Sequence, residues 1–189
     1  MSQAPQRRTI LSGSVKPSKS DVEKASDIVR DFGGTLIGRT RLQKTACLLE
    51  LAGLGGGFSF GYRHYGPYCE ELAQAVRDAT FIGLIKEQEE STEWGGRYSI
   101  YSVVDSSKDS TASKARKDIA SIAAAADSVL LELAVTAAFL ASQGEKNAWQ
   151  ETANRKPEKA KDGRLEKAKA LYKAFQAIPT PKNLPALDV

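Results

Sequence analysis

TRLQK (40–44), FSFGYRHYGPY (58–68) and YSIYSVV (98–104) punctuate the stretch Thr40–Lys108, whose reading decides the fold. Thr40 can cap a helix, and Gln43, three residues on, can reach back to complete a capping box. Leu42, Ala46 and Leu49, with Leu48 and Ala52 widening the stripe, predict a core helix running to Gly53. Gly66-Pro67 predicts a turn that starts a second helix with proline in its first position, and Glu70 and Glu71 then lie in a first turn that favours acids. Leu72, Ala73, Val76 and Ala79 are its inward face. Gly95-Gly96 permits a tight hairpin, with Tyr98, Ile100, Tyr101, Val103 and Val104 on the returning strand. Helix, helix and hairpin in that order predict a winged-helix-like core, mainly α within an α+β class, with a small β-hairpin wing.

Working outward, a helix can begin at Ser18 or Ser20, bury Val22, Ala25, Ile28 and Val29, and end at Gly33-Gly34. The expected organisation is a flexible arm over 1–17, a core over 18–104, a linker over 105–114, a helical extension packed on the core over 115–178, and an irregular tail over 179–189. Phe58, Phe60 and Tyr62 alternate and are expected to pack on the helices. Phe81, Ile82, Leu84 and Ile85 are expected to close the hydrophobic unit. In the extension, Ile119, Leu130, Leu133 and Leu140 mark a long helical stretch, and Trp149 anchors a short helix from about Glu145. Leu165, Ala168, Leu171, Tyr172 and Phe175 line the inner side of a terminal helix.

Several function classes recede on residue grounds. Cys47 and Cys69 fall among helical Ala and Leu and are expected to be buried thiols; with His64 as the single histidine, they do not suggest a zinc site. Gly55, Gly56 and Gly57 lack the Lys-Ser or Lys-Thr of a nucleotide phosphate loop. His64, Tyr65, Tyr68 and Cys69 have no second histidine or nucleophile arrangement beside them, so no catalytic, cofactor or metal residue is assigned. Apolar runs are broken before a bilayer-spanning length, and the start MSQAPQRRTILSGSV has no signal-peptide core, so no membrane role and a cytoplasmic location are expected.

The +4 net charge is uneven: residues 1–110 hold 14 Lys or Arg and 14 Asp or Glu, whereas 111–189 hold 13 and 9. Arg39, Arg41 and Lys44 cluster at the start of the LQK helix, where free amides favour anions, and are candidate phosphate contacts, or a solvated rim paired with nearby acids. Arg7, Arg8 and Lys16 are further cations on the N-terminal arm. Lys156, Lys159, Lys161, Arg164, Lys167, Lys169 and Lys173 form a candidate basic surface. The presumed recognition helix has Arg77 as its one cation beside Glu70, Glu71 and Asp78, and the wing carries Glu87, Glu89, Glu90 and Glu93. Such a field disfavours insertion into a major groove. Tyr65, Tyr68, Glu70, Glu71, Arg77, Glu89, Glu90 and Trp94 are therefore candidate partner-binding residues.

GRTRLQKTACLLELAG (38–53) followed by FSFGYRHYGPYCEELAQAV (58–76) resembles the signature of YwgA-like proteins and, more distantly, the Panacea antitoxin-associated domain. Gly38, Arg39, Leu42, Gln43 and Lys44 carry the first part of the likeness and Tyr65, Gly66 and Pro67 the second. The resemblance implies a mainly helical winged-helix protein, in some cases encoded in bacterial mobile-element or phage-defence systems. The expectation is a non-catalytic interaction or regulatory subunit bound to a larger protein or to copies of itself. The alternative is a nucleic-acid-binding protein making backbone phosphate contacts.

Overall fold

A computed structural model describes residues 19–93, 95–105 and 112–187. It is a mixed α/β fold, mainly helical, with two small antiparallel sheets. Expectations for the arm over 1–17, for residues 106–111 of the linker, and for Trp94 fall outside the described residues.

The first helix, α1 (Asp21–Asp31), starts at Ser20, whose amide and hydroxyl both donate to the Glu23 carboxylate at 2.9 and 2.8 Å. It buries Ala25, Ile28 and Val29. A glycine pair then turns the chain into β1 (Thr35–Ile37), a three-residue strand that buries Leu36 between exposed Thr35 and Ile37. It pairs antiparallel with β5 (Arg97–Val103), which also pairs with β4 (Ile85–Ser91), giving the order β1-β5-β4. The β4–β5 turn closes where expected: the Thr92 amide donates to the Gly96 carbonyl at 2.7 Å.

Helix α2 (Arg39–Leu51) differs from its sequence reading in two ways. It begins two residues early, from Gly38 at φ 97°, a left-handed conformation suited to glycine. Thr40 therefore lies inside the first turn and does not cap, and Gln43 is free to bond elsewhere. Second, Leu42 to Leu49 are buried without a break, so α2 is a central helix and not a striped one. It is surrounded because α1, β1, the second sheet and two later helices, α4 (Lys114–Ala125) and α5 (Ser128–Ser142), all pack on it.

That second sheet pairs β2 (Gly61–Arg63) with β3 (Gly66–Tyr68) and corrects the expected helix start at Pro67. Pro67 lies opposite Tyr62, and helix α3 (Glu70–Phe81) begins only after Cys69. Two consecutive α2 side chains hold the segment extended. Gln43 receives the Cys69 amide at 2.9 Å and donates to the Cys69 carbonyl at 3.0 Å, while Lys44 donates to the Pro67 carbonyl at 2.7 Å. A helix nucleated at Pro67 would forfeit these buried bonds, each unmet polar group costing on the order of 1–3 kcal/mol. The Cys69 thiol then caps α3 by accepting from the Leu72 amide at 3.3 Å.

The expected long helical stretch is two helices, α4 (Lys114–Ala125) and α5 (Ser128–Ser142). Asp127 makes the break, accepting from the Val129 and Leu130 amides at 2.9 and 3.1 Å. Arg41 caps the preceding end by donating to the Ala123 and Ala126 carbonyls, both at 2.9 Å. Leu131 to Leu140 are all buried, which makes α5 the second central helix. Around it stand α6 (Ala148–Arg155), α7 (Pro157–Ala160) and α8 (Arg164–Gln176), the last burying Ala168, Tyr172 and Phe175 as its spacing predicts. The non-helical segment that follows is tied down: Tyr172 donates to the Pro185 carbonyl at 2.8 Å and the Lys182 amide to the Ala52 carbonyl at 3.0 Å. One hydrophobic cluster runs from Ala25 through Leu48 and Leu133 to Phe175. Among the described residues no helix is long and apolar enough to cross a membrane.

Candidate functional site

Three groups of charged and aromatic residues emerge, and they divide the sequence candidates differently from their linear order. The first is buried beneath the β2–β3 hairpin. Lys44 and Lys156 were candidate anion and surface contacts, yet both lie inside, 1% and 6% exposed. Burial pushes the Lys44 ammonium down to about 8, against a partly compensating attraction from Glu132. Lys156 donates to Glu132 at 2.7 Å and to the His64 carbonyl at 3.2 Å, and Lys159 reaches the same carboxylate at 2.7 Å. Glu132 was missed in sequence because it stands alone among apolar residues of α5, where a lone acid gives no partner signal. Gly66 is required above this network: a Cβ there would stand 2.5 Å from Thr136 Oγ1, and its φ is +83°. Arg155 stacks over Tyr62 at 4.5 Å and Lys159 over Tyr65 at 5.1 Å, clamping the hairpin from outside.

The second group lines a cavity of about 760 Å³ between the start of α2, the β4–β5 hairpin, the β2–β3 hairpin and the start of α5. Arg39, Arg41, Lys44 and Arg97 border it with one carboxylate, Glu89. The three candidate phosphate contacts thus share one wall but differ in freedom. Lys44 is bonded to Pro67, Arg41 is half-buried on three backbone carbonyls, and Arg39 is exposed. Arg39 pairs with Glu87 at 3.2 Å and Glu89 at 2.7 Å, and Glu89 lies 3.8 Å from Arg97. Burial would raise the Glu87 carboxyl, but hydrogen bonds from Ser99, Arg39 and Tyr101 outweigh it and hold the group below its ordinary range. Tyr65 and Tyr68, expected on a partner surface, line this cavity, and so does Tyr98, which the strand pattern alone could not assign.

The third group is the outer face of α3 with the adjoining β4–β5 hairpin. Glu70, Glu71, Gln74, Arg77 and Asp78 are exposed, and Arg77 spends its guanidinium on Gln74, at 2.6 Å. Phe81 and Ile82 do not close the core as expected. Gly83 at φ 76° reverses the chain at the end of α3, leaving Phe81 92% and Ile82 58% exposed while Ile85 takes the buried place. Val104, beside Leu84, is 62% exposed and extends this apolar tip. Glu90 is half-buried on β4.

Of the remaining basic run, Lys161 pairs with Glu158 and Lys169 with Glu166, each at 2.5–2.8 Å. Arg164, Lys167 and Lys173 are exposed and have no acid partner among the described residues. The glycine turn 55–57 also looks inward: the amides of Gly56, Gly57 and Phe58 donate to Glu50 at 2.8, 2.9 and 2.9 Å. Both thiols are buried and free, and burial pushes Cys47 up to about 12 and Cys69 up to about 11. Set against protein-family models, curated proteins and solved structures, the chain matches none.

Proposed function

We propose that this chain is a non-catalytic interaction or regulatory subunit that docks a basic, partly apolar protein surface through the outer face of α3 and the wing. The strand order β1-β5-β4, with α2 and α3 preceding the hairpin, supports a winged-helix-like core in which α3 holds the recognition position. What carries the reading is the composition of that face: Glu70, Glu71 and Asp78 surround one self-engaged arginine and lead to a Phe81 that is 92% exposed. Acids repel phosphate, whereas an apolar tip rimmed by charge is the makeup of a protein-binding surface.

The cations that would favour nucleic acid are largely spent within the chain. Arg41, Lys44, Lys156 and Lys159 satisfy internal carbonyls and one internal carboxylate. The likeness to YwgA-like and Panacea sequences supports a bacterial setting among defence or toxin-antitoxin systems, with a larger protein as the partner. Affinity capture from the native host, repeated after nuclease treatment and with the double variant Glu71→Lys, Phe81→Asp, tests this. A stoichiometric protein retained after nuclease and lost in the variant is expected. Recovery of nuclease-sensitive material that the variant leaves unchanged would replace this reading with the nucleic-acid one.

A further inference from the structure

We infer that the cavity between the start of α2 and the two hairpins is a binding site for a small phosphate-bearing ligand with a flat ring, of the mononucleotide class, and that Glu89 is its built-in competitor. The site shares the β4–β5 hairpin with the proposed docking surface but not the outer face of α3, and it rests on its own lining and not on the docking reading.

Size and chemistry both point this way. About 760 Å³ is within the range of small-molecule sites. Arg39 and Arg97 are exposed at its border and share one carboxylate of the lining, Glu89, while Arg41 and Lys44, engaged on backbone carbonyls, add positive charge to the wall behind them, a field that favours a bound anion. Arg39 and Arg97 stand on different elements, the first turn of α2 and the first residue of β5, and both face the same acid, at 2.7 and 3.8 Å. That acid, Glu89, marks the place where the cavity receives negative charge. Its side chain is 47% exposed on a strand at the sheet edge, so it can leave at little cost when a stronger anion arrives. A phosphate offers three oxygens in a geometry that two guanidinium groups meet better than one shared carboxylate. The first-turn amides of the 13-residue helix α2 add a positive dipole end on the same wall.

The ring follows from the aromatic lining. Tyr65 and Tyr98 are 59% and 37% exposed, and with Tyr68 they give the cavity three phenol rings, none of them sealed in the core. Rings held at a wall and partly open to solvent are suited to stacking a base, and the Arg41 guanidinium adds a flat cation on the same side.

Titration calorimetry on the full chain with inorganic phosphate, adenosine and AMP distinguishes the elements of this proposal. AMP is expected to bind more tightly than either fragment. Glu89→Gln should tighten AMP by about tenfold and Arg97→Ala should weaken it by a similar factor, the worth of one charge-assisted hydrogen bond. Both residues are exposed, so a fold defect is not expected, and an unchanged thermal midpoint in each variant checks it. Failure of AMP to saturate both the native chain and Glu89→Gln at millimolar concentration would overturn the site. Equal affinity for phosphate and AMP would overturn the ring, and weaker binding in Glu89→Gln would overturn the competitor.

Discussion

Two regions of this molecule carry similar residues and use them in opposite ways. Beneath the β2–β3 hairpin, Gln43, Lys44, Glu132 and Lys156 are buried, the first two bonded to the Cys69 and Pro67 backbone and the last two to each other. On the outer face of α3, Glu70, Glu71 and Asp78 meet solvent, and the contacts to Glu71 and Asp78 are local ones, from the Cys69 thiol at 3.2 Å and the Gln74 amide at 2.7 Å. The first arrangement fixes a backbone path, since α2 side chains dictate where β3 ends and α3 begins. The second leaves charge and an apolar tip available to another molecule. A polar residue therefore signals function here only after its internal obligations have been subtracted.

The buried side of the contrast is where substitutions should cost most. Glu132→Gln removes the carboxylate that faces both Lys156 and Lys159, and breaking a buried pair from one side costs roughly 3–5 kcal/mol. A shift of that size in the urea midpoint is expected, and a change within error would show that the lysines find other partners. Gln43→Ala should cost about 1–3 kcal/mol, because both backbone groups of Cys69 lose their partner. Amide hydrogen exchange at Cys69 should accelerate with it, and unchanged protection would contradict the link between α2 and the start of α3.

These two residues also show what could be read from sequence. The start of α1 at Ser18 or Ser20, the inner side of α8 and the β4–β5 turn were legible because each is a local pattern: a hydroxyl ahead of an apolar spacing, a helical spacing, a glycine pair. Gly66-Pro67 was not, since its local signal for a helix start is overridden by Gln43 and Lys44, more than 20 residues earlier. Phe81 misled for a related reason: its hydrophobicity suggested core, and only the reversal at Gly83 decides that it faces out. Arg39, Arg41 and Lys44 were correctly seen as neighbours, but which of them is sealed depends on β3 and α4, beyond the reach of linear spacing.

Lys44 sharpens the comparison through pH. Its folded value of about 8 is below the ordinary 10.5, so the folded chain releases this proton first as pH rises. Between those values the unfolded state holds more protons, and this group makes folding more favourable with rising pH across that window. In lysine side-chain carbon NMR, one resonance should titrate near pH 8 and vanish in Lys44→Met. All lysines titrating together near their ordinary value would contradict its burial.

On the exposed side, Glu71→Lys and Asp78→Lys should each change stability by no more than about 1 kcal/mol, since Glu71 gives up the Cys69 thiol at 3.2 Å and a favourable place at a helix start, and Asp78 the Gln74 amide at 2.7 Å. A larger loss by thermal unfolding would mean that the α3 face serves the fold and not a partner.

The most direct measurement places a photo-crosslinking side chain at position 77, in the middle of that exposed face, and irradiates the native host. The account expects a discrete protein adduct that survives nuclease and disappears with Phe81→Asp. An adduct to nucleic acid at position 77 would contradict it.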